Sequence, residues 1–184
     1  MAAKRRQQLL EATVDYLLQN GASALSLRPL AAAIGTKARL LIYHFGSRDV
    51  LISSALSVLL RRIQLAFLEM HSEAKLDRTL LGFWHWATDK PTEPYLRLLF
   101  EVHGLAIRDP KRYGQYLSGA IESWKTLIAD RLDKRRMTAS RREEMATLII
   151  AVVDGLLLDY LATGEKERTT RALTVFTKSL KKEG

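Results

Sequence analysis

Apolar residues recur at spacings of three and four along nearly the whole chain, and no stretch alternates apolar with polar for long, so the pattern predicts helices and no strands. The first helix spans 4–19, with Leu9, Leu10, Val14, Leu17 and Leu18 on one stripe, and Asn20-Gly21 stops it. Ser26 caps a second helix over 27–33, whose first turn tolerates Pro29. Gly35 makes a turn, and a third helix covers 37–44. Ser47 caps a fourth, with Asp49 placed well for the helix dipole; it runs to about residue 70 with Leu51, Leu56, Leu59, Leu60, Ile63 and Phe67 inward.

Asp77 opens a fifth helix, to 88, and Asp89-Lys90-Pro91 breaks the pattern. Helices follow over 92–107, from Asp109-Pro110 to about 135, from Thr138 or Ser140 to Thr163-Gly164, and over 165–182. The fold class is therefore all-α with about nine helices: a small N-terminal module over 1–62 and a larger helical bundle over 63–184, bridged by the long fourth helix.

Composition narrows the setting. Without cysteine there are no disulfides or thiolate metal sites, which fits a reducing cytoplasm. No uninterrupted apolar run approaches the ~18 residues of a spanning helix. The nearest, 148–161, is broken by Asp154 and Asp159, and the basic N-terminus (Lys4, Arg5, Arg6) leads into no apolar signal core. The expectation is a soluble cytoplasmic protein with no membrane partner and no cofactor.

Charge is unevenly spread. Residues 1–62 hold nine Lys/Arg against three acidic residues, a net +6 of the chain's +9. A basic segment of this size suits a polyanion such as DNA, although a solvated basic surface would look the same by charge alone.

Residues 26–45 carry the sharper signal. A helix-turn-helix needs one helix to cross the DNA backbone and a second whose N-terminal residues reach base edges. Leu27, Leu30, Ala31, Ile34, Leu41 and Phe45 supply a small core to hold two such helices at an angle, and Gly35 frees the backbone for the turn. The outward face carries Lys37, Arg39, Leu40, Tyr43 and His44. Lys37 and Arg39 reach bases or phosphates, and Leu40 suits a thymine methyl. Tyr43 and His44, at the helix end, suit phosphate or sugar, as does Arg48 at the start of the next helix. Ser26, Arg28 and Thr36 complete the candidate DNA-binding set.

Residues 4–60 resemble the N-terminal domain of TetR-family transcriptional regulators. The resemblance rests on the opening amphipathic helix, the segment NGASALSLRPLAAAIGT, and LLIYHFGSRDVLI, in which Leu41, Tyr43, His44, Phe45, Ser47, Arg48 and Asp49 reproduce the family's helix-end pattern. Two positions depart from it. Ile42 stands where a tyrosine usually follows the leucine, with Tyr43 one place later, and Lys37 stands where a serine usually caps the recognition helix.

The resemblance implies a regulator that binds a near-palindromic, double-stranded operator as a homodimer and is released when a small-molecule effector fills the larger domain. For 63–184 the resemblance is architectural only. Aromatic and titratable residues concentrate between 67 and 124, and the candidate pocket set is Phe67, His71, Trp84, Tyr95, Glu101, His103 and Trp124. An ordinary helical core has the same composition. The wide apolar stripe over 141–162 with the final helix offers a two-fold interface, with Leu148, Val152, Leu156, Tyr160, Leu173 and Phe176 as candidates.

A small helical enzyme and a protein-interaction module are the competing classes. The four histidines show neither HExxH spacing nor a nearby glycine-rich loop, and Trp84-His85-Trp86 places neighbours on different helix faces, so no catalytic or metal site is expected. An interaction module would leave residues 26–51 unexplained.

Overall fold

A computed structural model describes residues 2–22, 26–70 and 76–183. Among them lie nine helices and no strand: α1 (Ala2–Asn20), α2 (Leu27–Ala33), α3 (Ala38–Phe45), α4 (Arg48–Glu69), α5 (Leu76–Ala87), α6 (Glu93–Arg108), α7 (Pro110–Ala129), α8 (Ala139–Thr163) and α9 (Lys166–Glu183). The all-helical class and the order of elements follow the sequence pattern.

The one clear boundary difference is α7, which stops at Ala129 rather than near 135. Tighter turns close its end, with the Arg131 N–H on the Ile128 carbonyl and the Leu132 N–H on that of Ala129, and a further turn at Asp133 follows. Its carboxylate accepts the Arg135 N–H at 2.8 Å and its carbonyl accepts the Met137 N–H at 3.1 Å, a local turn that competes with further helix. Thr138 then caps α8, accepting from the Arg141 N–H at 3.2 Å.

The chain forms two compact units. The first holds residues 1–63 together with 97–118, and the second holds 64–96 and 119–184. In the first, α1, α2 and α3 pack on one another around Val14, Leu17, Leu30 and Leu41, each 1 % exposed or less. α4 joins them through Arg62, which pairs with Glu11 and lies 3.7 Å from Asp15. Residues 97–118 are tied into the same unit by Arg112 to Asp49 and by the Tyr116 hydroxyl, which donates to the Leu56 carbonyl at 3.1 Å. Burial pushes the Tyr116 phenol up to about 12.

In the second unit α9 packs against both α5 and α8. Trp84, fully buried, donates its indole N–H to the Thr170 hydroxyl at 2.8 Å. An aromatic cluster surrounds Phe67, whose ring meets Phe83 and Trp124 edge-on, both at 5.5 Å. Phe83 stacks on Trp86, which continues to Tyr95.

Two helices, α4 and α8, are long and apolar enough to cross a membrane by length and composition. The sequence pattern predicts none, because it asks for an uninterrupted apolar run, whereas each of these helices tolerates a few polar breaks. Only 28 % of the most apolar window of α8 is buried within its own chain. Its outward stripe, which includes Leu148, Ala151, Gly155 and Leu158, therefore faces away from the core.

Candidate nucleic-acid interface

The turn between α2 and α3 is built by its backbone. Gly35 has φ +65°, its N–H returns to the Ala32 carbonyl, and the Thr36 N–H reaches the Ala31 carbonyl at 2.8 Å. This double closure is a Schellman end, which needs the left-handed residue that glycine supplies without strain. The chain then re-enters helix at Ala38 at a new angle, with Leu41 and Phe45 turned inward.

The helix starts differ from the expected capping. Ser26 and Lys37 occupy extended N-cap positions of α2 and α3, but neither side chain caps its helix. For Lys37 the reason is chemical, since an ammonium donates and cannot accept the helix N–H groups. α4 is capped, with Ser47 Oγ accepting from the Val50 N–H at 3.2 Å.

What the turn exposes is a shallow groove of about 610 Å³ lined by Arg5, Gly35, Thr36, Lys37, Arg39, Leu40 and Tyr43. Lys37 and Arg39 are exposed, Thr36 and Leu40 half-buried, and Tyr43 is 79 % exposed. Ile42 is 37 % exposed and does not line the groove. The one-place shift from the usual tyrosine position thus leaves an aromatic hydroxyl on the open face. Ser26 and Arg28 are also exposed, the latter in the first turn of α2. His44 is half-buried, its ring edge-on to Tyr43 at 5.2 Å.

The basic N-terminus proves to be divided between two tasks. Arg5 lines the groove, a residue that sequence reasoning assigned only to general charge. Arg6 instead clamps α1 to the end of α3: its Nε donates to the His44 carbonyl at 3.3 Å and its guanidinium lies 4.6 Å from the Phe45 ring centroid. A cation at a helix C-terminus over an aromatic face is doubly favourable.

Arg48 lies 3.3 Å from Asp49, which pairs more closely with Arg112 at 2.6 Å. The hydrogen bond from Arg112 to Asp49 raises its guanidinium above its ordinary value. Two guanidiniums, Arg48 and Arg112, thus share the Asp49 carboxylate at the start of α4. Altogether the face groups exposed cationic and hydroxyl donors, the chemistry that a polyanion requires.

The candidate pocket residues are divided between the units. Phe67, Trp84, Tyr95 and Trp124 lie in the second, and Glu101 and His103 lie on α6 in the first. Glu101 accepts from the Ala22 N–H at 2.9 Å, and His103 Nδ1 donates to the Leu99 carbonyl at 2.8 Å. His71 lies outside the described residues.

Of the candidate interface residues, Leu148 is 48 % exposed, and Val152, Leu156, Tyr160 and Phe176 are half-buried. Leu173 is fully buried in its own chain, so it is core. Leu158 and Val175, which the periodicity did not single out, are 52 % and 70 % exposed.

Comparison with known proteins agrees with this geometry. Residues 9–55 match the family of bacterial regulatory proteins, tetR family. No protein of curated function matches the chain by sequence. Among solved structures, a TetR-family regulator from Cytophaga hutchinsonii superposes with a TM-score of 0.79 at 17 % identity, covering 97 % of this chain and 95 % of that one. A transcriptional regulator from Rhodococcus sp. Rha1 gives 0.78 at 20 % identity over 95 % and 94 %. The multidrug binding protein EbrR, complexed with proflavin, gives 0.67 at 26 % identity over 92 % and 98 %.

Proposed function

We propose that the chain, whose residues 9–55 match the tetR family of bacterial regulatory proteins, is a DNA-binding transcriptional regulator of that family, a ligand-released repressor acting as a homodimer on a near-palindromic operator in the cytoplasm. The observation that carries the DNA reading is the groove on α3, where Lys37, Arg39, Leu40 and Tyr43 stand together with Arg5. Phosphate contacts from Arg5, Arg28, Tyr43, His44 and Arg48 fix the register, and Arg39 with Lys37 and Leu40 reads bases.

The dimer follows from α8. An apolar stripe left uncovered in water must meet another apolar surface, and a second copy of the same stripe is the simplest cover. Leu148, Ala151 and Leu158 form its centre, with Val152, Leu156 and Phe176 at its margin, while Tyr160 turns toward its own chain and donates to the Thr88 carbonyl. Two recognition helices about 34 Å apart then enter successive major grooves.

The effector reading is supported by the aromatic cluster around Phe67, Tyr95 and Trp124 in the second unit, and by the structural likeness to EbrR, a multidrug binding protein. A ligand there releases DNA only if it favours one arrangement of the two heads over the other.

The test is anisotropy on duplexes spanning the DNA upstream of the protein's own gene, at several salt concentrations. Salt-sensitive binding with preference for one near-palindrome is expected. Arg39→Ala should weaken that preferred site by roughly tenfold or more while sparing scrambled DNA, as a base contact worth about 1–3 kcal/mol requires. Leu158→Glu should yield a monomer by sedimentation and lose operator affinity. Equal binding to all sequences would reject the regulator reading, and a Leu158→Glu dimer would reject the α8 interface.

A further inference from the structure

Helix α1 ends at Asn20, and the Gly21 N–H closes the last turn on the Leu17 carbonyl at 2.8 Å. The next donor, the Ala22 N–H, lies beyond reach of that helix, and Ala22 is only 1 % exposed. A buried backbone donor needs a partner, and one comes from 79 residues away: Glu101 on α6 accepts from it at 2.9 Å.

The fit at this point is close. Gly21 has φ +77°, and a Cβ there would stand 2.7 Å from one Glu101 carboxylate oxygen and 3.1 Å from the other. Gly21 supplies the left-handed backbone without strain, and a Cβ there would displace the Glu101 carboxylate from its contact. The contact fixes the C-terminal end of α1, the helix against which both α2 and α3 pack. The other end of α1 is fixed to α3 by Arg6. With both ends of α1 fixed, the recognition helix inherits its orientation from them.

We propose that Glu101 is a positioning residue for DNA recognition. It acts through the C-terminal end of α1 rather than as a lining of the effector pocket. This rests on the reading of α3 as the DNA-reading helix. A hydrogen bond to base edges fails with a displacement of well under 1 Å from its ~3 Å optimum, whereas phosphate contacts by long side chains adjust. Loosening the end of α1 should therefore erode discrimination between sequences more than affinity for DNA as such.

The experiment begins by enriching the wild-type protein's preferred duplex from a random-sequence pool. Affinity for that duplex and for a scrambled one is then measured for wild type, Glu101→Ala, Glu101→Gln, Gly21→Ala and the Gly21→Ala/Glu101→Ala pair, each checked for folding by circular dichroism. Glu101→Ala should cut the preference for the selected duplex by about tenfold, the scale of one hydrogen bond to a charged group, and change scrambled binding by less than about twofold. Glu101→Gln keeps an acceptor oxygen for the same N–H and should retain most of the preference. Gly21→Ala should repeat the loss, and the pair should lose less than the two single effects combined, because both act on one contact.

A Glu101→Ala protein with wild-type discrimination would overturn the proposal. So would equal loss in the Gln and Ala variants, or a uniform loss on both duplexes. If wild type enriches no sequence at all, it is the DNA-reading premise that fails, and the enrichment step reports this before any variant is made.

Discussion

Thr170→Val should destabilise the second unit by about 1–2 kcal/mol, and the magnitude follows from three contacts. Trp84 has no exposed surface, and its indole N–H rests on the Thr170 hydroxyl at 2.8 Å. Valine keeps the shape of threonine and removes the acceptor. A buried N–H left without a partner costs about 1–3 kcal/mol. The hydroxyl's own bond to the Lys166 carbonyl is also lost, but that carbonyl still accepts from Thr169 at 3.1 Å, so no second group is orphaned. The added methyl returns up to about 0.8 kcal/mol of apolar burial, so from the middle of that range, about 2 kcal/mol, the net is about 1–2. In a chain of 184 residues this is a drop of roughly 2–8 °C in melting temperature. All three tryptophans lie in the second unit, so urea titration followed by tryptophan emission reads this unit alone. Thr170→Ser, which keeps the acceptor, should cost clearly less. A valine variant within about 0.3 kcal/mol of wild type, or a serine variant as damaged as the valine one, would refute the reasoning.

Arg6→Ala should lower the stability of the first unit by about 1 kcal/mol in denaturant titrations read by circular dichroism, from loss of the Phe45 ring contact and the His44 carbonyl bond. Arg6→Lys should recover only part, since one ammonium cannot serve both sites as the planar fork does; full recovery by lysine would count against the clamp. Hydrogen bonds from Arg168 hold the Asp159 carboxyl below its ordinary range. Its stabilisation is therefore complete above the unfolded carboxylate value of about 3.9 and fades as pH falls through the lower folded one. Asp159→Asn should flatten the acid limb of a melting-temperature profile below about pH 4, and an unchanged limb would show that the ion pair contributes nothing there.

The helices were legible because each buries a stripe at helical spacing, and that spacing is a local property of the sequence. The outward face of α3 was legible for the same reason: once Leu41 and Phe45 face in, Lys37, Arg39 and Tyr43 must face out. What could not be read were partnerships across long separations. Arg6 and Arg5 are neighbours of identical charge, yet one clamps Phe45 and the other lines the groove. Glu101, an acid on an apolar helix, suits a ligand pocket by composition, and only the fold brings Ala22 to it. Trp84 and Tyr95 carry the same aromatic signal, but Trp84 is sealed against Thr170 while Tyr95 is half-buried beside Trp86.

The path of the chain has a consequence for how such a protein can be remodelled. It leaves the first compact unit after residue 63, returns at 97, and leaves again after 118. No single cut frees either unit whole. A fragment ending near residue 62 would lack the partners of Ala22, Asp49 and Leu56, and a chimera that borrowed only the N-terminal helices would set them on foreign versions of α6 and α7. Exchange of specificity between relatives by recombination must therefore carry two separated segments together. On the proposed reading of α3, point changes on its face give a shorter route to a new operator than any transplant.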